Sequence, residues 1–163
     1  MVLMRILGID PGMAIVGWAI LDINNDKEPT LAAAGSIQTN KKNSDAQRLM
    51  EVYQDLCTII EKYKPDVAAV EKLFYFKNQK TVIPVAEARG VILLAFEKYG
   101  LNFGEYTPME IKQTITGFGR ASKQEVAQMV KVMLNGQNIP KLDDTTDAIA
   151  IALCYARGGG NDN

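Results

Sequence analysis

The 163-residue chain contains no histidine. That excludes Ser-His-Asp and Cys-His nucleophilic catalysis, the H-E-x-x-H metalloprotease pattern and imidazole-bound zinc. An enzyme made from this sequence must use carboxylates, lysines or a hard metal ion. The two cysteines, Cys57 and Cys154, are too few for a disulfide framework or a thiolate metal site, which points to a reducing, cytoplasmic setting. No apolar run reaches the roughly 18 residues that span a bilayer, and the opening MVLMRILGIDPG breaks too early for a secretory signal. An excess of one charge is lacking as well: 18 Lys and Arg face 19 Asp and Glu, for a formal charge of −1.

What is present suffices for one ordinary domain. Apolar residues make up 47% of the chain, enough for a sizeable core, and no linker or internal repeat interrupts it. We expect a single domain over residues 1–156 and a flexible polar tail over 157–163 (RGGGNDN). Met4–Ile9, Ile15–Leu21 and Leu31–Thr39 have strand length and are separated by short turns, which predicts an antiparallel meander. From Ser44 to Tyr63 the period changes, and Leu49, Val52, Tyr53, Leu56, Ile60 and Tyr63 fall on one helical face. Val67–Val70 predicts a short buried strand, Gln79–Tyr99 a helix with Pro84 in an early turn, and Phe103–Tyr106 another strand. Thr107-Pro108-Met109-Glu110 and Ser122-Lys123-Gln124-Glu125 are capping boxes that start two further helices. A last helix is expected from about Asp143 to Tyr155. Helices between strands imply parallel pairing beside the meander, hence a mixed α/β sheet covered by helices.

Four acids sit in apolar surroundings. Asp10 ends the strand Ile6-Leu7-Gly8-Ile9, although Asp before Pro-Gly is also ordinary turn chemistry. Glu71 ends Val67-Ala68-Ala69-Val70 in the same way, although a surface Glu beside Lys72 would read alike. Asp144 and Asp147, three apart, share one face at the start of the final helix. Capping and the helix dipole account for an acid such as Asp143. They do not account for Asp147, which lies inside the helix beside the apolar run Ala148–Cys154. Four converging carboxylates repel unless a cation neutralises them, and a site with only oxygen donors selects Mg²⁺ or Mn²⁺. Two such ions about 4 Å apart are suited to phosphodiester hydrolysis.

Five segments recur in register: Gly8-Ile9-Asp10-Pro11-Gly12; Glu71 followed by Phe74; Ala88-Arg89-Gly90; Lys112-Gln113-Thr114 with Gly117-Phe118-Gly119; and Asp144-Thr145-Thr146-Asp147-Ala148. From Met4 to about Ala156 the chain resembles the RuvC family of Holliday-junction resolvases. The resemblance implies a ribonuclease-H-like fold, a five-stranded mixed sheet with its first three strands antiparallel, flanked by helices. It implies a homodimeric Mg²⁺-dependent endonuclease with the carboxylate tetrad Asp10, Glu71, Asp144 and Asp147, two ions per site being expected and Mn²⁺ an alternative. Asp143 is the neighbour that could replace Asp144, and spacing to Asp147-Ala148 favours Asp144. Paired symmetric nicks in a four-way DNA junction would leave 5′-phosphate and 3′-hydroxyl ends. The RuvA–RuvB branch-migration complex is the partner that the resemblance implies.

The absence of a basic excess is unusual for a protein that binds nucleic acid, and metal would offset the tetrad's charge. Lys72, Lys77, Lys80 and Arg89 form one basic group, and Lys112, Arg120 and Lys123 another. We expect both to border the cleft and neutralise phosphates. Lys112 and Lys123 match basic positions of the family, and Phe74 matches its base-stacking aromatic, a contact of about 1–3 kcal/mol per base. Gly117-Phe118-Gly119-Arg120 suits either close approach to a phosphate or a tight turn. The helix Val82–Phe96 carries more apolar surface than one core-facing stripe needs, so part of it is a candidate dimer face. The competing readings are a ribonuclease-H-like nuclease acting on RNA or RNA–DNA hybrid, a non-catalytic DNA-binding module, and a phosphotransferase of the actin and sugar-kinase type. The last would need a second such domain.

Overall fold

The computed structural model describes residues 1–73, 79–141 and 143–158. Strands β1 (Val2–Asp10), β2 (Ile15–Asn24) and β3 (Pro29–Gln38) are followed by helix α1 (Asp45–Tyr63), β4 (Val67–Glu71), α2 (Gln79–Lys98) and β5 (Asn102–Tyr106). Three helices complete the chain, α3 (Pro108–Thr116), α4 (Lys123–Met133) and α5 (Asp143–Ala156). The sheet order is β3-β2-β1-β4-β5. The first three strands pair antiparallel, whereas β4 lies parallel to both β1 and β5. This is the expected five-stranded mixed sheet. From residue 159 onward the expected polar tail lies outside the described residues.

Alternation along the strands creates two cores. Leu7, Ile9, Val16, Ile20, Ala68 and Val70 face α1 and α2, where they meet Val52, Leu56, Ile60, Ile92 and Phe96. Ile6, Ala19, Leu21 and Ala69 face the other way, onto α3, α4 and above all α5. Parity therefore sends the last residues of β1 and β4, Asp10 and Glu71, toward the α5 side.

Helix α5 is buried at Thr145 and without interruption from Ala148 to Cys154. Each large side chain so covered contributes about 1.5–3 kcal/mol. Glycines set how close α5 lies to the sheet. A Cβ on Gly8 would fall 2.2 Å from the Ala148 carbonyl oxygen, and one on Gly17 2.1 Å from that of Asp144. Thr145 Oγ1 donates to the Gly35 carbonyl on β3 at 3.3 Å. At the opposite end of the sheet, Arg5 forks onto buried Asp22 at 2.7 and 2.8 Å and donates to the Tyr63 carbonyl at 2.8 Å.

Both expected capping boxes form: Glu110 N–H donates to the Thr107 hydroxyl and Glu125 N–H to the Ser122 hydroxyl, each at 3.2 Å. A third, Ser44 with Gln47, starts α1. Some bounds differ from expectation. β1 begins at exposed Val2, and β3 begins at Pro29, which pairs with Ile23 near the strand end, a place that needs no ladder N–H. Pro84 lies in an early turn of α2, as expected. Gly117 has φ +80° and closes α3, so the tight-turn reading holds at that glycine. Among the described residues no helix is long and apolar enough to cross a membrane.

Candidate metal centre

The C-terminal ends of β1 and β4 lie side by side because Ile9 pairs with Val70, the last rung before the two acids. Against them the first turn of α5 sits on β2, and Gly17, the residue in contact with Asp144, is also the register partner of Asp10. One glycine thus touches the backbone of one acid and pairs with another. The result is a cluster in which carboxylate oxygens of Asp10, Asp144 and Asp147 all lie within 4.8 Å of one another. Glu71 lines the same cleft of about 390 Å³ and hydrogen-bonds with the Asp10 carboxyl. Asp143 is the first, exposed residue of α5 and does not join the cluster.

Electrostatics show the strain of this arrangement. The Asp10 carboxyl is pushed up to about 8, first by burial and then by the charges of Glu71, Asp147 and Asp144. Asp147 is also raised by burial, with Lys123 acting against the shift and Asp144 and Asp143 adding to it. Carboxylates crowded in this way hold protons unless a cation replaces them. The donor set is oxygen only, without His or Cys, and suits Mg²⁺ or Mn²⁺.

The expected basic residues divide. Lys112 and Lys123 line the acidic cleft with the tetrad. A second cavity of about 460 Å³ shares Glu71, Pro108 and Lys112 with that cleft and continues over Lys72, Leu73 and Met109. Arg120 is exposed in the turn between α3 and α4 and lines neither cavity. Lys72 and Lys80 are exposed. Arg89 lines the second cavity but already has partners inside the protein: its Nε donates to the Glu71 carbonyl at 3.3 Å, and Nη2 lies 2.9 Å from Glu105 Oε2. Phe74 and Lys77 lie outside the described residues. Gly8 and Thr145, which help seat the acid-bearing helix, stood out in sequence only as members of the family segments, and Gly17 did not stand out at all. The only available signal was glycine at positions where the strand alternation calls for an inward-facing side chain.

Comparison with known proteins agrees with this geometry. The family model described as "Crossover junction endodeoxyribonuclease RuvC" matches residues 6–155. Among proteins bearing that description, one from Halothermothrix orenii is 49% identical over 152 residues, covering 93% of this chain and 92% of the relative. Another, from Caldicellulosiruptor saccharolyticus, is 47% identical over 152 residues, with coverage of 93% and 92%. The structure of Thermus thermophilus RuvC in complex with Holliday junction substrate superimposes with a TM-score of 0.88 at 29% identity, covering 98% of this chain and 99% of that one. The yeast mitochondrial resolvase Ydc2 shares the fold, with a TM-score of 0.67 at 18% identity and coverage of 95% and 80%.

Proposed function

The chain belongs to the RuvC family of crossover junction endodeoxyribonucleases, and from that premise we propose how its residues divide the work of junction resolution. It is a structure-selective nuclease that resolves four-way DNA junctions in recombination and repair. The observation that carries the site assignment is the meeting of Asp10 from β1 with Asp144 and Asp147 from α5, their oxygens within 4.8 Å.

In this reading Asp10, Glu71, Asp144 and Asp147 hold Mg²⁺, or Mn²⁺, in the cleft. Bound there, the ions supply Lewis acidity for water attack on the phosphodiester and offset charge on the departing 3′-oxygen. The protein's own part is placement. Gly17 seats Asp144 over Asp10, and the short β4 presents Glu71. Lys112 and Lys123 attract the phosphate backbone to a cleft that its acids would otherwise repel. Phe74, which follows β4, is assigned to stacking on an unpaired base at the crossover. Lys77 and Arg120 are assigned to phosphate contacts.

Symmetric nicking needs two sites related by a two-fold axis, so the active form is a homodimer. Ile83 (66% exposed) and Leu94 (59% exposed) on α2 support this face as the interface. The RuvA–RuvB complex is the proposed partner, and the cytoplasm the proposed location.

The test is incubation of the protein with a labelled four-way junction, linear duplex or RNA–DNA hybrid, with and without Mg²⁺. Paired, ligatable nicks confined to the four-way substrate and dependent on Mg²⁺ are expected. They should vanish in Asp10→Asn. Cleavage of the hybrid instead would favour the RNA-directed alternative. Wild-type rates in Asp10→Asn would refute the site assignment.

A further inference from the structure

Arg89 is unusual for a basic residue beside a nucleic-acid cleft. Its side chain is only 17% exposed, and its guanidinium is directed to partners within the protein. It lies on α2, the helix layer opposite α5. Glu105 lies on β5 and pairs in register with Val70, the residue before Glu71. Val70 belongs to the core beneath α2, whereas its neighbour Glu71 projects by parity toward α5. Arg89 therefore holds the end of β4 from one side of the sheet while Glu71 presents its carboxylate on the other.

The contacts are specific to that strand end. Nε donates to the main-chain carbonyl of Glu71 itself at 3.3 Å. Nη2 is 2.9 Å from Glu105 Oε2 but off the line for a hydrogen bond, so charge holds that arm. The other side of β4 is fixed by the Lys72 N–H, which donates to the Tyr106 carbonyl at 2.7 Å. Residues 74–78, which follow Leu73, lie outside the described residues. Arg89 thus ties the end of β4 to α2.

We infer that Arg89 is a positioning residue for Glu71, fixing the end of β4 so that this carboxylate reaches the cation site, and that it does not serve as a phosphate contact. The inference rests on the metal-site reading above. A guanidinium suits it because its Nε donates to the Glu71 carbonyl while Nη2 keeps its charge beside Glu105, two separate nitrogens that a lysine ammonium does not offer. Residues that orient metal ligands in this way typically cost 10–100-fold in metal affinity or activity when lost.

The experiment compares wild type, Arg89→Met, the double variant Arg89→Met with Glu105→Gln, and Asp10→Asn. Two quantities are read: Mn²⁺ affinity by electron paramagnetic resonance without DNA, and four-way-junction affinity in chelator across a salt series. Arg89→Met is expected to weaken Mn²⁺ binding about 10–100-fold. Its junction affinity and salt slope should match wild type. The double variant leaves no unpaired Glu105 charge; it is expected to melt near wild type and still bind Mn²⁺ weakly, which covers the case in which the single variant does not fold. Mn²⁺ affinity within two-fold of wild type in Arg89→Met overturns the inference, as does recovery of affinity in the double variant. A salt slope reduced by about 1 with unchanged Mn²⁺ binding overturns it in favour of a phosphate contact. Wild-type Mn²⁺ binding that Asp10→Asn abolishes keeps the metal site standing whatever Arg89 does. Its absence in wild type would refute the metal site itself.

Discussion

Gly17→Ala adds one methyl group and should cost both stability and activity. The added Cβ would lie 2.1 Å from the Asp144 carbonyl oxygen, 2.6 Å from its carbonyl carbon and 3.1 Å from its Cβ. The two nearest atoms are backbone, so no side-chain rotation relieves the overlap. Gly17 has no left-handed φ, and contact alone opposes the substitution. To reach an ordinary separation the first turn of α5 must retreat by more than about 1 Å. Overpacking of this kind costs about 1–3 kcal/mol of stability. A misplacement of about 1 Å in a reacting array costs on the order of 10²-fold in rate. Asp144 would move away from Asp10, the register partner of Gly17, and the oxygen cluster would open. The assay is single-turnover cleavage of a four-way junction at saturating Mg²⁺, well below the melting temperature, with junction affinity in chelator as the binding control. A roughly 10²-fold slower rate with unchanged affinity is expected. A rate within two-fold of wild type would show that α5 absorbs the methyl group elsewhere, and the idea that this glycine seats Asp144 would fail.

Stability should depend on pH through Asp10. Its carboxyl is raised to about 8, so the folded protein holds that proton more tightly than the unfolded chain. In chelator this contribution is fully present below about pH 4 and is lost as pH rises through about 8. Melting curves should show that decline, and Asp10→Asn should flatten it; an unchanged slope in the variant would contradict the assignment. Leu94→Arg, on the exposed face of α2, should yield a monomer in sedimentation with protomer stability altered by no more than about 0.5 kcal/mol. A wild-type protein that sediments as monomer would remove that interface. Lys123→Gln should lower the magnitude of the junction-binding salt slope by about 1, and an unchanged slope would show that Lys123 serves only Asp147.

The order of elements was legible because the apolar period changes sharply at Ser44, Val67, Gln79 and Phe103. Strand ends were less so. Val2 and Leu3 are exposed, and no burial pattern marks them as part of β1. The acids were legible as types, since Asp10 and Glu71 end apolar runs and Asp147 directly precedes one. Their meeting was not, because it depends on register and on the depth of α5. Gly17 exerts its effect through a residue at the other end of the chain, and local sequence gives no sign of that. Arg89 shows the same limit from the opposite side. Its charge suggests DNA, but its partners Glu71 and Glu105 come from two other strands. The Ser44-Gln47 capping box follows the same pattern as the others, a hydroxyl followed three residues later by Glu or Gln, and was available to be read.

The helix that supplies Asp144 and Asp147 is also among the most deeply enclosed parts of the molecule, with an unbroken buried run from Ala148 to Cys154. On such a beam these two acids cannot shift without loosening the core that holds them. As the protein is warmed, loss of turnover and collapse of the chain should coincide, leaving no folded but inactive form between them.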